Sequence, residues 1–208
     1  MPNPGSPLDD WLAAIAAATP EYAGGSAAAV AGALGAALVE MVAGLTGRRE
    51  KYAAVHAEAR DAVARAARLR ERLPALAVQD AEAFAGFTAA LSMPKATADE
   101  QASRRAAQDR ALRGGTAVQL ELLDALVEVG ELALAMAERG VAGAAGDAAT
   151  GALLAAAAGR SAGWAVRSNL AGATDAAARN DVARAKDLLE RVEAAERGVL
   201  ALLEERAG

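Results

Sequence analysis

Two aspartates stand where a carboxylate could move protons: Asp80 in VQDAEAF and Asp147 in GDAATG. Phe84 follows Asp80 by four residues, so on a helix the two share a face and Asp80 would sit beside apolar packing. A carboxylate partly withdrawn from water exchanges protons closer to neutrality. The plainer reading of Asp80 is a solvated helix residue. Asp147 opens an Ala-rich stretch after Gly146, where it either caps a helix or presents its carboxylate to a cleft. Ala23-Gly24-Gly25-Ser26 precedes a long apolar run. The first amides of a helix starting there carry partial positive charge and can hold a carboxylate or carbonyl oxygen, unless Ser26 is only an N-cap after a flexible turn. Lys95 in Met93-Pro94-Lys95 and Asn169 with Arg167 in VRSNL are further candidates, each equally explained as surface decoration. His56 lies amid charged residues and reads as exposed.

Composition removes several chemistries. The chain has no Cys, so it has no disulfide, thiol nucleophile or thiolate metal site. A single His excludes a His-rich metal centre, and no metal site is expected. A net charge of −5 gives no basic face for nucleic acid. MPNPGSPLDD lacks the basic and apolar regions of an export signal, so a cytoplasmic location is expected. Residues 26 to 46 are long enough to cross a bilayer, but Glu40 lies inside and RREK follows. Small residues at Ala28, Gly32, Gly35 and Val39 instead suit close helix packing, and no membrane is expected.

The elements that must position these residues are helical. Apolar residues make up 54% of the chain but aromatics only 3%, alanine supplies most of the rest, and runs that would mark strands are missing. The chain is expected to be all-α, one helical bundle over 1–208 with two Ala/Gly-rich central helices. A first helix over 8–18 is capped by Ser6-Pro7 and ended by Thr19-Pro20, and the second starts near Ser26. A charged third runs over about 50–72 until Pro74 breaks it, and a fourth carries Asp80 and ends at Met93-Pro94. Thr97 and Glu100 have capping-box spacing and start a fifth, through about Arg113. Gly114-Gly115 is a hinge or break before a sixth helix that stops at Gly140. GVAGAAG is a loop, a seventh helix runs from Asp147 to about Gly172, and the last covers about 175–206.

Taken in order, these motifs resemble the formimidoyltetrahydrofolate cyclodeaminase / methenyltetrahydrofolate cyclohydrolase family. GGSAAAVAGALGAALVEMVAGLT with KY, then DAEAF, MPK, GDAATGALLAAA and NL follow that family's order from about Leu8 to Leu189. The resemblance implies an all-helical homodimer binding a tetrahydrofolate derivative between helices, with no cofactor beyond that substrate. Asp80 and Asp147 would then be the acid/base or cation-facing carboxylates. Gly24, Gly25 and Ser26 would form the substrate loop, and Lys95 and Asn169 would line the cleft. The family hydrolyses 5,10-methenyltetrahydrofolate or closes formimidoyltetrahydrofolate with loss of ammonia. The hydrolase is preferred here, because a transferase often shares the polypeptide in this family and 208 residues leave no room for one.

The chain departs from the family pattern in three places. Tyr22-Ala23 replaces Pro-Gly before Gly24, Gly146 replaces Ser, and Ala165 replaces Asn. Two alternatives therefore stand beside the folate enzyme: an enzyme for another amidine- or imine-like substrate, and a non-catalytic helical dimer.

Overall fold

In a computed structural model, which describes residues 1–19 and 21–207, every regular element is helical. They are α1 (Leu8–Ala16), α2 (Gly24–Gly47), α3 (His56–Leu91), α4 (Ala98–Arg139), α5 (Ala145–Asn169) and α6 (Ala176–Ala207). Two short 3-10 segments, Glu50–Val55 and Ala142–Ala144, lead into α3 and α5.

Two expected breaks are not breaks. Pro74 lies inside α3, which continues for 36 residues, so the third and fourth expected helices are one. The ring removes the donor for the Arg70 carbonyl, but Arg70 is exposed, and buried Leu73, Leu76 and Ala77 hold the chain helical across the site. Gly114-Gly115 likewise falls inside α4, a 42-residue helix that joins the expected fifth and sixth. Its start is the expected capping box, with the Thr97 hydroxyl accepting from Glu100 N and the Glu100 carboxylate accepting from Thr97 N. Three boundaries also move. α1 ends at Ala16 with Pro7, not Ser6, at its N-cap, α5 ends at Asn169, and five of the seven residues of GVAGAAG are already helical, three of them in the 3-10 segment. Pro20, expected to end the first helix, lies outside the described residues.

The two Ala/Gly-rich helices, α2 and α5, run antiparallel and nearly touch. A Cβ on Gly35 would stand 2.9 Å from the Gly151 carbonyl oxygen, and one on Gly151 would stand 3.1 Å from that of Gly35. Backbones this close need glycine for space alone. Alpha-helices α3 and α4 form an antiparallel hairpin laced by Arg65–Glu128 and Arg72–Glu121 ion pairs. α6 lies parallel to α4 and antiparallel to α5, with Val192 seated against Gly130 and Gly159. α1 is pinned by Trp11, whose ring meets Tyr22 edge-on at 5.8 Å.

α2 is long and apolar enough to cross a membrane, but 44% of its most apolar stretch is buried against the rest of the bundle. Its outer side, with that of α5, leaves Leu34, Met41, Leu153 and Trp164 exposed. The far ends of α3 and α4 project past the bundle as an arm, and between Glu82 and Gly114 only Ala90 is buried. The hollow of interest lies where this arm joins the bundle.

Candidate functional site

Asp80 sits on α3 at the base of the arm, half-buried, facing the first turn of α2. Ser26 is not an N-cap: α2 begins at Gly24 with Ala23 at its N-cap, and the Ser26 side chain is fully buried. Its hydroxyl lies 3.0 Å from the Asp80 Oδ2 and 3.0 Å from the carbonyl oxygen of Ala77. From α4, the Gln119 Nε2 donates to Asp80 Oδ1 at 2.6 Å. Three helices thus meet at one carboxylate.

Gly25 is part of the same construction. A Cβ there would lie 2.3 Å from Gln119 Nε2 and 2.6 Å from each Asp80 oxygen. Its φ is negative, so the position requires glycine for room rather than for backbone freedom. The opening amides of α2, at Gly24, Gly25 and Ser26, have no partner within the helix, which turns its positive end towards the carboxylate.

The bonding pattern accommodates Asp80 with or without its proton. One hydroxyl proton on Ser26 faces two acceptors. When Asp80 is a carboxylate, that proton is shared between Oδ2 and the Ala77 carbonyl. When Oδ2 carries a proton, it donates to Ser26 Oγ, and Ser26 donates to Ala77 without leaving a group unpaired. A side chain that gains and loses a proton without breaking its supports suits general acid–base work.

Asp80 opens on a cleft of about 340 Å³ lined by Ala83, Phe84, Phe87, Leu112, Gly115 and Asn169. Phe84 and Phe87 provide an aromatic wall, with ring centroids 6.4 Å apart. Gly115 keeps this wall close, since a Cβ there would lie 3.2 Å from the Asn169 amide nitrogen and press on that side chain. A second hollow of about 320 Å³ shares Leu112 and Asn169 and is edged by Arg113 and Asp175. A larger one, about 420 Å³ under α1, gathers Asp10, Glu21 and Tyr22 but no interlocked polar group, which makes the α3–α4 cleft the candidate site. No set of three or more His, Asp or Glu residues among the described residues is arranged to hold a metal ion.

Asp80 and Asn169 therefore share the cleft, and Gly25 and Ser26 meet Asp80 from behind without lining it; Gly24 is outside the lining too, its carbonyl accepting from Ser161 Oγ at 3.5 Å. Lys95 and Asp147 lie away from it. Lys95 is in the turn at the tip of the arm beside Arg104 and Arg105, and eleven residues of α3, about 16 Å of helix, separate Asp80 from Leu91 just before that turn. Asp147 is exposed in the first turn of α5, and twenty-two residues, about 33 Å of helix, separate it from Asn169. Of the departures from the family pattern, Ala23 is the N-cap of α2, one residue before Gly24, and the others lie away from the cleft lining. Tyr22 is buried beneath α1 with its hydroxyl on the Pro2 carbonyl, Gly146 is at the Asp147 end, and Ala165 is not in the lining. The residue that sequence reasoning missed is Gln119. Its signal was available: it is polar yet in helical register with Leu122, Leu123 and Leu126, all buried.

Comparison with known proteins places the chain as a whole. A family model described as formiminotransferase-cyclodeaminase matches residues 7–188. The chain is 37% identical over 170 residues to a methenyltetrahydrofolate cyclohydrolase of Methylorubrum extorquens, covering 82% of each. It is 34% identical over 106 residues to the formimidoyltransferase-cyclodeaminase of Rattus norvegicus, spanning 20% of that longer protein. The crystal structure of formiminotetrahydrofolate cyclodeaminase from Thermotoga maritima superposes with a TM-score of 0.87 at 25% identity, covering 98% of both chains.

Proposed function

The chain belongs to the formiminotransferase-cyclodeaminase family, and from that premise we propose that it hydrolyses 5,10-methenyltetrahydrofolate to 10-formyltetrahydrofolate with Asp80 moving the proton. It is an enzyme of one-carbon folate chemistry. The observation that carries the assignment of Asp80 is its position at the cleft wall, held by Gln119 and Ser26 in a network that fits both protonation states. The methenyl carbon lies between two nitrogens that share a positive charge, which a carboxylate attracts. Water adds to that carbon while Asp80 takes its proton. The proton then passes to the departing ring nitrogen as its bond to the carbon breaks, and the hydroxyl left on the carbon gives its own proton to solvent as its oxygen becomes the carbonyl of the formyl group on the other nitrogen. Phe84 and Phe87 offer flat apolar surface to the folate rings, and Asn169 a polar contact at the opposite wall.

The test is loss of the near-ultraviolet absorbance of 5,10-methenyltetrahydrofolate, for the parent and Asp80→Asn. General acid–base help is worth about 10²- to 10⁴-fold, so the variant should lose at least about 100-fold in kcat while melting like the parent. Parental turnover by the variant would overturn the assignment. Cyclodeamination of formimidoyltetrahydrofolate is the second reading, favoured by the Thermotoga maritima structure. That protein matches this chain over 98% of both lengths, so a short chain does not argue against a cyclodeaminase. Ammonia release in the same preparation decides between them.

The working unit proposed here is a cytoplasmic homodimer joined through the outer faces of α2 and α5. Asp147 at one end of α5 and Arg167 at the other, neither in an ion pair among the described residues, would meet across a two-fold axis. Arg167 is stacked on exposed Trp164, its guanidinium carbon 5.2 Å from the ring centroid. Such pairing would carry the partner subunit's Asp147 towards the Asn169 end, where the carboxylate role that the resemblance gives it could be exercised. Light scattering tests this. The parent is expected to be a dimer and Trp164→Glu a monomer, and a monomeric parent at micromolar concentration would refute it.

A further inference from the structure

We infer that Gln119 is a positioning residue for the reaction: it locks the Asp80 carboxyl group in the orientation from which it accepts a proton. This rests on Asp80 being the proton-moving group. Gln119 is 1% exposed, and its Nε2 donates to Asp80 Oδ1 at 2.6 Å, the shorter of that carboxylate's two side-chain hydrogen bonds. Its other end, Oε1, is buried with no hydrogen-bond partner. An orphaned buried acceptor is costly, and a leucine or methionine in this register would fill the space without that cost. The amide is kept for what its nitrogen end does.

The orientation of that amide is not free. Turned over, it would set Oε1 against a carboxylate oxygen at the same short distance, two acceptors with no proton between them. With its nitrogen end on Oδ1, the amide supports Asp80 whether or not Oδ2 carries a proton. Gln119 Nε2 and Ser26 Oγ are the only side-chain groups that hydrogen-bond the carboxylate among the described residues, and they approach from different helices, one to each oxygen. Losing either would free the side chain to rotate. Gln119 is absent from the cleft lining, so it acts through Asp80 and not on the substrate.

The experiment compares Gln119→Met, Gln119→Glu and Asp80→Asn with the parent, on whichever of the two folates the parent turns over. Misplacing a reacting group by about 1 Å costs about 10²-fold, so Gln119→Met should lose about ten- to a hundredfold in kcat, with KM little changed and the melting temperature held or raised. Gln119→Glu supplies the separating readout. At high pH the introduced carboxylate repels Asp80. As pH falls and that new carboxylate takes up a proton, its hydroxyl can donate to Oδ1 as the amide did, so activity recovers towards the parent's on the acid side. A purely structural role predicts no such recovery. Full kcat in Gln119→Met, or a Gln119→Glu profile parallel to the parent's, would overturn the inference while an inactive Asp80→Asn leaves the functional reading intact. An active Asp80→Asn, or an inactive parent, would overturn both.

Discussion

Gly25 provides the sharpest test of the site's geometry, because its neighbour Gly24 is the control. An alanine Cβ at position 25 would stand 2.3 Å from Gln119 Nε2 and 2.6 Å from both Asp80 oxygens, where ordinary contact begins at 3.4 Å. Relief requires displacing the two polar heads by about 1 Å, the scale at which positioning costs about 10²-fold in rate. That corresponds to about 2.7 kcal/mol in the barrier. Overpacking costs about 1–3 kcal/mol of stability, partly offset because alanine favours the helix, so the melting temperature should fall by no more than about 10 °C. At position 24 the nearest atom to a new Cβ is Ser161 Oγ at 3.8 Å, which leaves room. Gly24→Ala should therefore keep the parent's rate, and Gly25→Ala should lose about two orders of magnitude, both read from methenyl absorbance per folded protein. Equal rates for the two variants would refute the reasoning.

Other perturbations test the scaffold. Gly35→Ala drives a Cβ into the Gly151 carbonyl at 2.9 Å, a backbone that cannot swing aside, and should cost about 1–3 kcal/mol in urea unfolding, whereas Gly44→Ala, in open space, should cost nothing. Pro74→Ala returns a donor to the Arg70 carbonyl and should stabilise α3 by about 1–3 kcal/mol, read as a higher urea midpoint. The Arg113 guanidinium beside Asp175, with help from the Ala178 amide, holds the Asp175 carboxyl down at about 2, below its ordinary 3.8. Its contribution is complete above about pH 4 and is lost as pH falls through about 2, so Asp175→Asn should melt below the parent at neutral pH and alongside it at pH 2. A melting difference that persists at pH 2 would sink that assignment.

The helical class was legible because alanine propensity and the lack of β-branched runs both point one way. Breaks were not. A helix-interior proline costs about 3 kcal/mol and a glycine about 1 kcal/mol, and both read locally as stops. Yet Leu69, Leu73, Leu76 and Ala77 flank Pro74 and are all buried, and a single buried leucine is worth about 1.5–3 kcal/mol. Burial on both sides outweighs the local penalty, and neighbouring helices that supply it are not visible in a window of residues. The capping box at Thr97 was legible for the converse reason, since its donor and acceptor lie three residues apart.

The same contrast sorts the site. Ser26 in a helix, Gln119 on an apolar stripe and Gly25 with ordinary backbone angles each depart from what their own element prefers, and all three departures converge on Asp80. Little local repays them: a buried Ser26 hydroxyl in the first turn is turned away from the helix's own amides, and a buried stripe gains nothing from an amide with an orphaned oxygen. Lys95 and Asp147 break no such rule. Lysine in an exposed turn is at home, and an aspartate in the first turn of α5 is favoured by the helix dipole whatever else it does. The resemblance weighs the two aspartates alike, but physically they differ. Asp80 is held by side chains from α2 and α4 as well as by its place on α3, whereas Asp147 has no such supports among the described residues. That convergence of three helices on one side chain is the observation on which the proposed proton-moving role of Asp80 stands.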